Sequence, residues 1–140
     1  MLLNYIFAYR YSMSFKKERR ILVVDDDPDV NLTMKVALKD EGFEVDTFDS
    51  PQLALSSFKP NFYDLILLDI KMPKIDGFEL YREIKKRDDK VKVCFLTASV
   101  YTEYEEFLKQ NPKVIVKCFA RKPIPIGDLS KIVKEQLKEE

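Results

Sequence analysis

The sequence predicts an α/β domain: a parallel β-sheet with helices on both faces. Three observations predict it. Short apolar runs such as Ile21–Val24 and Leu65–Leu68 show no polar alternation, as strands buried on both faces do not. Between the runs, apolar residues recur at helical spacing. The two patterns alternate five times, and such alternation means a parallel sheet joined by crossover helices. The length suits one domain of this kind. The chain has 140 residues, 46% of them apolar, and a chain of this size buries roughly two-thirds of its unfolded surface.

The elements follow in order. Residues 1–18 read as an apolar and basic extension ahead of a domain at 19–140. Leu2–Tyr11 is apolar and aromatic. It falls well short of the roughly 20 residues that span a bilayer, and it lacks a signal peptide's basic leader and cleavage site. It is an upstream extension with Met13 as the functional start, a segment docked on the domain, or a membrane-surface or dimer-forming segment. Ile21–Val24 is the first strand, ending in Asp25-Asp26-Asp27-Pro28. Asp27 can cap a helix whose first turn takes Pro28. Val30, Met34, Ala37 and Leu38 mark that helix, and Gly42 stops it. Glu44–Phe48 is the second strand, and Ser50-Pro51 opens a helix carrying Leu53, Ala54 and Phe58. Leu65–Leu68 is the third strand and ends in Asp69. A loop with Pro73 and Gly77 leads to a helix over Phe78–Arg87, with Leu80, Tyr81 and Ile84 inward. Val91–Leu96 is the fourth strand, ending in Thr97, and Thr102–Lys109 a short helix. The fifth strand lies within Val114–Ala120, before Arg121-Lys122-Pro123. The last helix runs from about Gly127 to Lys138, with Leu129, Ile132, Val133 and Leu137 as its stripe.

Composition narrows the function. Lys and Arg number 24, Asp and Glu 24, so formal net charge is zero. That argues against direct nucleic-acid binding, which needs an excess of cations. The absence of histidine rules against zinc sites and His-dependent catalysis. Cys94 and Cys118 do not form a disulfide framework, and the expectation is two buried free thiols in a reducing cytoplasm.

In such sheets ligands gather at the carboxyl ends of the strands. That rule singles out Asp25, Asp26, Asp69, Thr97 and Lys122. Taken alone, the acidic run is a helix cap or a solvated loop, Thr97 a strand-end hydroxyl and Lys122 a surface lysine. Together they are far more specific. Three carboxylates at one edge must take up protons or bind a cation. Hard oxygen ligands favour Mg²⁺, Mn²⁺ or Ca²⁺, and no Ca²⁺-loop spacing is present. A lysine and a hydroxyl beside such a metal complete a phosphoryl site. No Gly-rich loop cradles a nucleotide, so the phosphoryl group arrives on another carrier, and a carboxylate can accept it as an aspartyl phosphate.

The chain resembles the two-component receiver family. The resemblance rests on Ile21–Asp27, Leu67–Gly77, Phe95–Ser99 and Arg121–Pro123, in the family's order and separations, within about Arg19 to Lys138. It implies a flavodoxin-like three-layer sandwich with strand order 2-1-3-4-5. It implies Asp69 as the phosphoacceptor and Asp25 and Asp26 as an acidic pair, Asp26 the more direct ligand of Mg²⁺ (Mn²⁺ being possible). Lys71 would offer its backbone carbonyl to the metal, and Thr97 and Lys122 would contact the phosphoryl oxygens. The Lys122–Pro123 bond would be cis. Phe119 stands where the family has its switch aromatic, moving with Thr97; it lacks a tyrosine hydroxyl and would otherwise be core. Lys71 and Ser99 flank the phosphoryl group, and Tyr101 and Tyr104 lie near the output face or are ordinary helix aromatics.

The function so implied is a stand-alone, cytoplasmic phosphorylation switch rather than an enzyme acting on other molecules. A sensor histidine kinase would be the donor. A downstream protein or phosphotransfer partner would read the face made by the fourth helix, fifth strand and fifth helix. Membrane contact would come only through the N-terminal segment. An unphosphorylated scaffold is disfavoured by the complete Asp26, Asp69, Thr97 and Lys122 set. A metal-dependent phosphatase is disfavoured because Lys71 stands where a second acid–base aspartate would be needed.

Overall fold

The structure is a computed structural model describing residues 18–98, 102–112 and 118–138. Its elements are β1 (Arg20–Val24), α1 (Pro28–Asp40), β2 (Glu44–Phe48), α2 (Pro51–Ser57) and β3 (Leu65–Asp69). They continue with α3 (Gly77–Arg87), β4 (Lys92–Thr97), α4 (Thr102–Gln110), β5 (Phe119–Arg121) and α5 (Ile126–Leu137). All strand pairs are parallel, in the order β2-β1-β3-β4-β5.

Helix starts follow the side chains expected of them. Asp27 accepts from the Asp29 N–H at 2.9 Å, and Pro28 fills the first turn, where a missing N–H costs nothing. Ser50 and Asp76 cap α2 and α3 in the same way. After α1, Gly42 takes φ of 96°, which a β-carbon would oppose.

Successive strand residues point to opposite faces, so the sheet serves two cores. Leu22, Val24, Ile66, Leu68 and Phe95 face α2 and α3, where Ala54, Leu80 and Ile84 meet them. Ile21, Val23, Leu65, Leu67 and Leu96 face α1 and α5, where Met34, Leu38, Leu129 and Val133 meet them. Each such buried side chain contributes roughly 1.5–3 kcal/mol. Leu53 is an exception on α2, pointing outward at 55% exposure.

One expectation is corrected. Cys94 and Cys118 are joined by a disulfide, with Cα atoms 4.5 Å apart. The cause is register: Phe95 pairs with Phe119, which sets the preceding residues, the two cysteines, side by side on one face. Neither is a free thiol. The segment expected to hold the fifth strand is described only from Cys118 onward, and β5 runs one residue past it to Arg121. Residues 1–17, Ser99, Tyr101 and the Tyr104 side chain lie outside the described residues. No helix among the described residues is long and apolar enough to cross a membrane.

Candidate functional site

The strand ends bring the sequence-predicted residues to one edge. Asp25 directly follows β1 and is fully buried. Asp69 closes β3 and is 3% exposed. Between and beside them, carboxylate oxygens of Asp25, Asp26 and Asp69 lie within 4.8 Å of one another. Lys122, just past β5, reaches in from the other side. Its Nζ donates to Asp25 Oδ2 at 2.7 Å and stands 3.5 Å from Asp69 Oδ1.

Local backbone contacts hold this arrangement. The Asp27 N–H donates to Asp25 Oδ1 at 2.9 Å, orienting that carboxylate. The Ile70 N–H donates to the Leu96 carbonyl, and the Lys122 N–H to the Thr97 carbonyl at 2.7 Å. These two bonds carry the sheet's order one residue beyond β3 and β5. The Lys122–Pro123 peptide bond is cis, as expected. Thr97 is buried at the end of β4, beside Arg121 in register.

Gly77 has a role that composition did not suggest. Its N–H donates to the Ile70 carbonyl at 2.7 Å. A β-carbon at this position would run into the Asp69 carbonyl oxygen and crowd Ile70 Cα. Only glycine lets the start of α3 close this tightly behind the Asp69 strand end.

The electrostatics follow from crowding. Burial, helped by the Asp25 charge, pushes the Asp69 carboxyl from 3.8 up to about 7; Lys122 opposes this, and Asp26 adds to it. For Lys122, burial works against the ammonium, but hydrogen bonds and attraction from Asp25 and Asp69 outweigh it and raise its pKa. Lys122 thus faces a cluster of three carboxylates, and the Asp69 carboxyl tends to keep its proton. A divalent cation with hard-oxygen preference would relieve that excess, so the donor set fits Mg²⁺ or Mn²⁺.

Two further predicted residues, Lys71 and Phe119, are among the described residues. Lys71 is exposed on the loop after β3. Phe119 is half-buried and packs against the core under α2 and α3. Two residues escaped the sequence reading: Gly77 in its close approach, and Asn31, buried on α1 with its amide on the Asp25 carbonyl. Asn31 shares the spacing of Met34 and Leu38, which would have placed it inward.

Comparisons with known proteins agree on a family. The model of the response regulator receiver domain matches residues 21–134. The transcriptional regulatory protein RprY of Bacteroides fragilis is 27% identical over 79% of this chain and 46% of its own length. The regulatory protein AtoC of Escherichia coli is 30% identical over 84% of this chain and 25% of its own. The chain thus spans less than half the length of these curated relatives. Among solved structures, the response regulator TrrA of Thermotoga maritima, in complex with Mg²⁺-BeF, is 36% identical with a TM-score of 0.70. That match covers 85% of this chain and 99% of the other.

Proposed function

The chain belongs to the response regulator receiver family, and from that premise we propose that Asp69 is its phosphoacceptor. Receiver domains are phosphoacceptor signalling domains of two-component systems. The observation that carries the assignment is Asp69 itself: a buried strand-end carboxylate with Asp25, Asp26 and Lys122 gathered on it.

The donor we propose is the phosphohistidine of a sensor kinase. A carboxylate oxygen of Asp69 attacks phosphorus in line; the new O–P bond forms as the P–N bond breaks and the electron pair returns to the imidazole. Ionised Asp69 is the nucleophile, so it must give up the proton its surroundings favour. Lys122 stands ready to balance charge on the phosphoryl oxygens, and the Thr97 hydroxyl donates to them from the next strand end. Asp25, Asp26, Asp69 and the Lys71 carbonyl would hold Mg²⁺ (or Mn²⁺), which when bound supplies positive charge to the carboxylates and the incoming phosphoryl group. The signal then leaves through a change at Thr97 and Phe119, read by a partner protein on the face of α4, β5 and α5. RprY is named as a transcriptional regulatory protein; we propose that this domain's own share of such work is the switch, with no direct contact to nucleic acid.

Incubation with phosphoramidate, followed by intact mass, tests the proposal. The wild type should gain one phosphoryl group in Mg²⁺ and none in excess chelator. A gain that ignores the chelator, or no gain at all, overturns it.

A further inference from the structure

The β1–β2 ladder ends at the pair Val24–Phe48. The chain then carries its acidic residues beyond the sheet, where strand pairing no longer holds them. One backbone bond continues, from the Asp25 N–H to the Phe48 carbonyl at 3.2 Å. A side chain of α1 adds to it. Asn31, 4% exposed on α1, donates from Nδ2 to the Asp25 carbonyl at 2.8 Å and to the Phe48 carbonyl at 3.2 Å.

This side chain is costly where it stands. Its neighbours on the inward face, Met34 and Leu38, are apolar. Its Oδ1 is buried and has no hydrogen-bond partner among the described residues. A buried amide left half-satisfied is destabilising, and an apolar residue of like volume would avoid that. The bonds it does make have a specific consequence. The Asp25 carbonyl shares a rigid peptide plane with the Asp26 N–H. Holding that oxygen fixes the plane, and with it the direction in which Asp26 leaves the sheet. Asp25 has other anchors, in Lys122 and the Asp27 N–H. Asp26 is exposed and depends more on the direction its backbone is given.

We infer that Asn31 is a positioning residue of the acidic site: its amide locks the peptide between Asp25 and Asp26, and so presets their carboxylates for a divalent cation. The inference rests on reading these carboxylates as a cation site. It names a residue that touches neither metal nor phosphoryl group and acts through the backbone of one that does.

Calorimetric titration of the full chain with MgCl₂ tests it, alongside Asn31→Leu and Met34→Ala. The leucine keeps the volume and removes the amide. Met34→Ala weakens the same helix face without touching the Asp25 carbonyl, so it reports what mere destabilisation does. Asn31→Leu should bind Mg²⁺ about tenfold more weakly, as loss of an outer support of a metal site does, while Met34→Ala keeps wild-type affinity. Equal affinity in wild type and Asn31→Leu overturns the inference, as does an equal loss in both variants. If the leucine variant does not fold, Asn31→Ser replaces it with the same expectations. In the wild type, the Asn31 side-chain amide resonances should also shift on Mg²⁺ addition; unmoved resonances count against the inference. A wild type that binds no Mg²⁺ would instead remove the cation site on which the inference rests.

Discussion

Asp69 holds a proton more tightly folded than unfolded, because burial and the Asp25 charge disfavour its ionised form. Between 3.8 and about 7 the folded chain keeps a proton that the unfolded chain releases, so this residue lowers stability as pH rises through that window. In chelator, the thermal midpoint of the wild type should fall relative to Asp69→Asn over that range; parallel curves would contradict the assignment. Lys122 is a stabilising member of the site, since it partners a carboxylate that is fully buried. Lys122→Met leaves Asp25 uncompensated and should cost about 3 kcal/mol in urea unfolding. It should also abolish uptake from phosphoramidate, whereas a stable variant that still takes up phosphoryl would deny Lys122 its role. These residues were legible in sequence because each ends a strand, and strand ends converge in a parallel sheet. Asn31 was less so: its spacing with Met34 and Leu38 points inward, but a polar residue on an amphipathic helix reads as solvated, and nothing in the spacing names the carbonyls it binds.

The elements meet at close approaches, and these are where substitutions should be felt. At Gly77 the start of α3 sits against the Asp69 carbonyl, so Gly77→Ala must push helix and strand apart. Overpacking of that kind costs roughly 1–3 kcal/mol, and phosphorylation should slow because the displaced atoms belong to Asp69 itself. Unchanged stability and rate would show that the approach has slack. Between β4 and β5 the register predicts a different result. Unreduced, denatured protein should take up no alkylating reagent at its 2 cysteines, and reduction should open both. Alkylation without reduction would restore the free thiols read from the sequence. Strand and helix identities were legible because buried parallel strands are short apolar runs between helical spacings. Register was not: nothing in Cys94 or Cys118 taken singly says that Phe95 faces Phe119. Boundaries moved by a residue or so where caps decide them, as at Asp76 ahead of α3.

Across the whole molecule, balanced charge hides a strongly uneven distribution. The 24 cations and 24 anions cancel overall, yet three carboxylates converge at one sheet edge against Lys122. Two apolar cores pin that edge from opposite faces, so the site is built before any ligand arrives. Preorganisation of this kind is what a phosphoryl site needs, because charge already in place does not have to be gathered during transfer. The fold and the family were legible because the pattern spans nearly the whole chain. The longer relatives show that more can accompany such a domain than it contains itself. Phosphorylation at Asp69 is tested most directly by asking where the phosphoryl group goes. After treatment with phosphoramidate and Mg²⁺, borohydride reduction converts an acyl phosphate to a stable alcohol that peptide mass spectrometry can place. The reduced residue should be at position 69 alone and should vanish in Asp69→Asn. Reduction at Asp25 or Asp26, or an unchanged yield in Asp69→Asn, would contradict it.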